Sequence, residues 1–416
     1  MNDRATGRAH FQERAAERES SAERSAEARG ERRFWLWTAV GLGAIAFGKG
    51  IREPNAWSYT QAQLDYSAGF MRGGLFGTVL GHWLGLNQYA HFAVVSTVLL
   101  LLLYGALALL ARSSKLAERT PPGELLAVYA SSYSVSYLAH VNGYFDVPLA
   151  LLCVGPLIVR STGWRVLAAV GSTVVGILIH EQFFFAFLPL LIVSVLFGVA
   201  TAKTSVERRV AWGGGILLAV VGVSMLLYCA RYGTVSEVQG DRIRQSVEQK
   251  ADYPVNALML TEMSVSPHEN MKIMRSQWNR STYIPGQAES LLMFAPTAAV
   301  LLWATLVLLR RWRPGRYRWI YAGVLFGTLA PLSLHLMGWD KSRWNELLSL
   351  NAFVLLLVVS QQMGNERVRL PVRLRRACLV VMLLNMATGG AMLDDRHIRP
   401  FPLLRNPDGG IAENVH

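Results

Sequence analysis

Nine ionisable residues interrupt otherwise apolar or aromatic sequence: Asp65, Arg72, His140, Asp146, His180, Glu181, His335, Asp340 and Arg343. A charge at or inside a bilayer is expensive, so such residues are candidates for chemistry before they are candidates for solvation. Arg72 stands in GFMRGGLFG. Glycines let backbone approach a ligand closely, and guanidinium binds phosphate in bidentate fashion. The competing reading is an interfacial anchor that snorkels to headgroups. Asp65, in QLDYSAGF, reads equally as a general base or as a solvated loop acid. His180-Glu181 lies between Ile-Leu-Ile and Gln-Phe-Phe-Phe, in a break too narrow to be explained by solvation, although a polar hairpin cap is the alternative. Asp146, after Asn142-Gly143-Tyr144-Phe145, reads as a helix-start acid favoured by the dipole. In Trp339-Asp340-Lys341-Ser342-Arg343-Trp344 an aromatic belt accounts for the tryptophans but not for the acid and base three apart.

These residues must be positioned by membrane helices. The 416-residue chain is 52% hydrophobic and 17% charged, below the quarter usual for a soluble domain. Its apolar runs have the length that crosses about 30 Å of hydrocarbon. The expected fold class is an all-α polytopic integral membrane protein with about 11 transmembrane helices. They are expected near 34–48, 90–111, 125–139, 146–159, 166–179, 183–200, 210–230, 290–309, 319–338, 345–363 and 377–393. Residues 1–33 are expected to form a cytoplasmic polar arm, as a charged helix or a disordered segment, 34–393 the transmembrane domain, and 394–416 an outer-face tail. With the N-terminus inside, the inner segments hold 26 of the 41 Lys+Arg and 11 of the 28 Asp+Glu. That asymmetry is topogenic and accounts for the net charge of +13 without nucleic acid. It also puts all nine ionisable residues at or near the outer face. Boundary charges unrelated to a site would occur on both faces.

Two outer loops are long, 51–89 and 231–289, and long connections inside compact proteins are usually functional or disordered. The second contains amphipathic stretches (DRIRQSVEQKADY, NALMLTEM) and the sequon Asn279-Arg280-Ser281, and is expected to fold against the membrane surface. Cys153, Cys229 and Cys378 are unrelated in spacing and form neither a disulfide framework nor a metal site. No GxxxxGK[ST], HExxH or nucleophile elbow occurs, which excludes those hydrolase classes.

The layout is similar to the GT-C superfamily of membrane glycosyltransferases, which have a cytoplasmic N-terminus and a long first outer loop bearing a catalytic acid. Many also carry a second long outer loop between the seventh and eighth helices. Locally, YSAGFMRGGLFG, GYFDV, IHEQ and GWDKSRW resemble motifs of bacterial polytopic proteins associated with surface-polysaccharide genes. That group tends to have two consecutive arginines where this chain has Arg72-Gly73. Some GT-C members have two adjacent acids where Asp65 stands alone beside Tyr66. The resemblance implies a bacterial inner (plasma) membrane enzyme with its site facing the periplasm or exterior. It would take a sugar from a polyprenyl-phosphate-linked donor to a glycan or lipid-linked acceptor. Asp65 would be the base, with His180 and Glu181 orienting the acceptor or replacing it, and Arg72, with Arg343, would stabilise the leaving phosphate. Trp57, Tyr59, Trp278 and Tyr283 would stack on sugar rings, and Tyr66, His140, Asp146, Trp339 and Asp340 would complete the substrate contacts. No cofactor is indicated; a divalent ion is compatible with a lone Asp and loop acids. Two alternatives stay open: an O-antigen-type polymerase or ligase, relying on outer-face Arg and His, and a lipid-linked glycan transporter or flippase.

Overall fold

The computed structural model describes residues 3–121, 123–262, 265, 267–278, 283–312, 318–336, 340–363 and 366–387, with side chains at most positions from Ala26 onward. Trp339, the Asn279-Arg280-Ser281 sequon, the Tyr283 side chain and the 394–416 tail lie outside the described residues. Every regular element among the described residues is a helix. Six are long and apolar enough to cross a membrane: Tyr89–Arg119, Thr162–Ile179, Ser205–Tyr232, Ile284–Trp312, Trp319–Leu336 and Lys341–Gln362.

The other expected spans take shorter forms. Residues 125–139 divide into Glu124–Ala130 and Tyr133–His140, broken at Ser131-Ser132. The 183–200 segment divides at Phe187, ahead of Pro189, into Gln182–Ala186 and Leu188–Thr201. Asp146–Ile158 has 13 residues and Val372–Ala387 has 16. The first expected span is not separate from the polar arm: a single 48-residue helix, Asp3–Gly50, carries both.

The Lys341–Gln362 helix is the axis of the molecule, with nearly every residue from Arg343 to Ser360 buried. A helix buried on all sides needs partners for its polar groups as well as for its leucines. Asn351 shows how these are found. Pro331 lacks the N–H that would bond the Gly327 carbonyl one turn earlier, and the Asn351 amide donates to that carbonyl at 3.0 Å and to the Ala186 carbonyl at 2.8 Å. One side chain thereby closes two helix ends against the axis. The first turn of this axial helix carries Arg343 to the end of the bundle where the two long loops lie.

Those loops fold on each other. Ile243 and Val247, four apart on the Glu237–Lys250 helix, face Leu64 and Met71 of the first loop together with Val235, Met259 and Leu260, in a satellite apolar cluster. Tyr89 stacks on Tyr253, their ring centroids 3.9 Å apart. Asp252 accepts the Tyr89 N–H at 2.7 Å and the Tyr59 hydroxyl at 3.2 Å. The second loop therefore packs on the first through both apolar and polar contacts.

Candidate functional site

The site is organised around the reversal at His180-Glu181-Gln182. Gly176, in the last turn of Thr162–Ile179, leaves a slot in which the Phe183 ring sits; a Cβ there would approach that ring to 2.4 Å. The chain can therefore turn back at once. His180 adopts an extended conformation, and the next helix starts at Gln182. Three consecutive polar side chains are then held at one end of the bundle, and they lead to two different arginines.

Gln182 belongs to a closed ring with Asp146 and Arg343. Its amide donates to Asp146 Oδ1 at 2.6 Å, Arg343 Nε donates to Asp146 Oδ2 at 2.9 Å, and Arg343 Nη2 donates to Gln182 Oε1 at 3.3 Å. Arg343 Nη1 donates to Asp340 at 2.6 Å. The guanidinium also lies over the rings of Tyr144 (4.7 Å) and Trp344 (5.0 Å), and Asn55 donates to the Tyr144 hydroxyl at 3.1 Å. Asp146, Gln182 and Arg343 are buried. Every guanidinium nitrogen of Arg343 already has a partner.

Glu181 turns the other way, to Arg72. Their ion pair is 3.4 Å long, and the two side chains are 22% and 24% exposed. Arg72 Nη2 donates to the Val265 carbonyl at 3.0 Å. Gly233 brings Arg72 into place: its carbonyl accepts the Arg72 N–H at 3.1 Å, and a Cβ on Gly233 would meet Arg72 Cγ at 2.4 Å. His180 stands beside this pair, with Nδ1 3.8 Å from Glu181 Oε2. The same nitrogen accepts the Gln182 backbone N–H at 3.1 Å. A backbone N–H can only donate, so the neutral ring carries its proton on Nε2. Burial lowers the His180 pKa against the opposing pull of Glu181 and favours this neutral form. For Glu181 burial acts upward, but His180 and Arg72 outweigh it and hold the carboxyl below the usual range.

Asp65 lies elsewhere in the loop structure. It caps the short turn Tyr66–Ala68, accepts the Ser67 N–H at 2.9 Å and the Ser67 hydroxyl, and faces Lys250 at 3.6 Å. Burial pushes its carboxyl up, but the two Ser67 hydrogen bonds and the Lys250 ammonium outweigh it and hold the group below the ordinary carboxylate value. Trp57 and Tyr66 pack against the satellite apolar cluster. Trp278 is exposed. His140 ends the Tyr133–His140 helix, with its ring 5.8 Å from Tyr137. His335 reaches Asn345 and Gln287, each at 3.1 Å.

The structure thus brings Arg72, His180 and Glu181 together, and Asp146, Asp340 and Arg343 together, with adjacent residues of one reversal serving both groups. Sequence reasoning missed Gln182 and Tyr144, which are neutral, although both sit within the IHEQ and GYFDV stretches. It missed the Val265 carbonyl because a main-chain acceptor has no sequence signal. Among the described residues no group of three or more His, Cys, Asp or Glu could hold a metal ion.

These features define a helical, membrane-embedded protein with an open ionic cluster and a closed one at the same end of its bundle. Compared with protein-family profiles, curated proteins and solved structures, the chain matches none.

Proposed function

We propose that the chain is a membrane glycosyltransferase that moves a sugar from a polyprenyl-phosphate-linked donor to a lipid-linked or cell-surface glycan acceptor. The observation that carries the reading is the part-exposed Arg72–Glu181 pair with His180 beside it. Arg72 keeps a long ion pair and one carbonyl contact, both of which a phosphate replaces with stronger charge-assisted bonds. In the transfer step the bond between the sugar's anomeric carbon and the phosphate oxygen breaks, and its electron pair leaves on the phosphate, where Arg72 offsets the charge. The acceptor hydroxyl bonds to the anomeric carbon and gives its proton to a carboxylate. Glu181, released when Arg72 turns to phosphate, is better placed for that role than Asp65, which Ser67 and Lys250 already occupy. His180 presents Nε2–H as a neutral donor to the phosphate or to a sugar hydroxyl. Arg343, buried and with a partner on each of its three nitrogens, holds the reversal in shape and does not touch substrate.

The reading includes a GT-C-like architecture in a bacterial inner membrane, with the N-terminus in the cytoplasm and the site facing outward. The pairs Glu124–Ala130 with Tyr133–His140, and Gln182–Ala186 with Leu188–Thr201, would each cross in two pieces, so that eleven crossings satisfy the charge asymmetry. A second reading is favoured by the adjacency of Arg72 and His180: an O-antigen-type polymerase or ligase, whose donor is diphosphate-linked. Turnover in proteoliposomes with synthetic monophosphate-linked and diphosphate-linked polyprenyl sugars separates them. Transfer from the first donor alone supports the glycosyltransferase; transfer from the second alone supports the polymerase or ligase. Transfer from neither, with transbilayer movement of the lipid, supports transport.

A further inference from the structure

The end of the bundle remote from this site carries a cation that the proposed reaction does not use. Tyr89–Ser114 runs about 39 Å at 1.5 Å per residue away from the loop cluster. It ends at Lys115, which among the described residues is the sole non-glycine residue with positive φ (54°). Strain of this kind persists only where the surroundings enforce it, and it concentrates at functional positions. The kink leads into the turn Leu116–Arg119 and folds Arg119 inward until it is 8% exposed. Its Nε and Nη1 are buried without a hydrogen-bond partner. A buried guanidinium with unpaired N–H groups is costly, and two of the nearby acids are already paired with other arginines. Glu118 is turned to Arg32 at 3.1 Å, and Glu124 is taken by Arg375 at 3.0 Å. The segment that closes over the turn is net basic: Val368 donates to the Arg119 carbonyl at 2.6 Å, and exposed Arg367 and Arg369 flank it, against one exposed acid, Glu366.

We propose that Arg119, with Lys115, Arg367 and Arg369 around it, is a binding site for the phosphate of an anionic phospholipid. Phosphate supplies the negative charge and the planar acceptor pair that a guanidinium fork takes. A lipid rather than free phosphate is the source because the corner terminates a 31-residue apolar run, Tyr89–Arg119, whose outward Val98, Leu101, Leu102 and Leu109 are exposed. The guanidinium therefore lies where that run meets headgroups. The basic surround attracts anionic lipid in preference to zwitterionic lipid. The site is independent of the transferase reading and survives its failure.

The test is thermal unfolding of the delipidated full-length protein in neutral detergent. Phosphatidylglycerol, phosphatidylcholine or inorganic phosphate is added to wild type, Arg119→Gln, Arg119→Lys and the exposed control Arg209→Gln, on a different helix and outside the proposed site. The expected result is a rise of several degrees with phosphatidylglycerol alone, retained in Arg209→Gln, lost in Arg119→Gln and weakened at least tenfold in apparent affinity in Arg119→Lys. If Arg119→Gln does not fold, Arg119→Lys decides, since it keeps the charge and loses the fork. Equal responses of wild type and the Arg119 variants, or equal stabilisation by phosphatidylcholine, would overturn the proposal. Stabilisation by inorganic phosphate alone would overturn the lipid as its source.

Discussion

Arg343 and Arg72 sit at opposite sides of the same three-residue reversal, and their surroundings differ in kind. Arg343 is buried, lies over two aromatic rings and is hydrogen-bonded through every guanidinium nitrogen, with Asp146 and Gln182 closing a ring around it. Arg72 is about a fifth exposed, with one long ion pair and one carbonyl contact. A closed cluster holds structure, because a ligand reaching the inner donors of Arg343 would have to displace Asp146 and Gln182, which are themselves buried. An open pair can exchange partners at little cost. Two arginines of equal prominence in the sequence thus divide into a positioning residue and a ligand-facing one. The difference lies in how many of their donors the protein has already used.

Removing Arg343 would test the closed side most severely. Arg343→Ala leaves the buried Asp146 without its cation, so a loss of about 3–5 kcal/mol is expected, read as failure to accumulate or a collapse of the unfolding midpoint in detergent. A variant that unfolds like wild type would break the contrast. On the open side, Arg72→Gln is expected to lower turnover about 10²–10³-fold, the usual effect of removing one transition-state donor. Stability should change by about 1 kcal/mol or less, since the pair is partly exposed. Loss of folding together with activity would place Arg72 on the structural side after all.

His180 sharpens the comparison through pH. Its folded pKa is depressed below the ordinary 6.5, so the unfolded chain takes up a proton from that point downward and the native protein only at lower pH. Stability should therefore decline as pH falls below 6.5, and His180→Gln should flatten this part of the profile in unfolding scans from pH 7.5 to 5. A wild-type profile unchanged by the substitution would remove the neutral, Nε2-protonated ring from the account. The smallest effect is expected at the rim of the closed cluster. Asp340 is 39% exposed, and Asp340→Asn should cost about 0.5–1 kcal/mol, measured by the same scans. A much larger loss would show that Arg343 depends on its rim partner as much as on Asp146.

Much of this was legible in the sequence, in a specific way. Helical membrane class followed from run length and composition, and the residues that cluster were those that interrupt apolar sequence. The break at His180-Glu181-Gln182 was visible for the same reason. Pairing was not visible. Nothing local tells that Asp146 meets Arg343, 197 positions away, or that Glu181 meets Arg72 rather than Arg343. Asp65 drew attention as the isolated acid of a long loop, but its partner Lys250 comes from the other long loop, and only the packing of the two reveals it. Span counting had a comparable limit. Composition marks apolar stretches, whereas breaks such as that at Ser131-Ser132 depend on what the neighbouring helices offer to the freed backbone groups.

The most direct measurement is transfer by purified protein in lipid nanodiscs from a synthetic polyprenyl-monophosphate sugar, with wild type, Arg72→Gln, Glu181→Gln and Asp65→Asn compared side by side. The account predicts turnover by wild type, at least a hundredfold loss in the first two variants, and activity within tenfold of wild type in Asp65→Asn. Abolition by Asp65→Asn with Glu181→Gln still active would move the base to the first loop. Full activity in Arg72→Gln would contradict the assignment of the open arginine as the phosphate ligand.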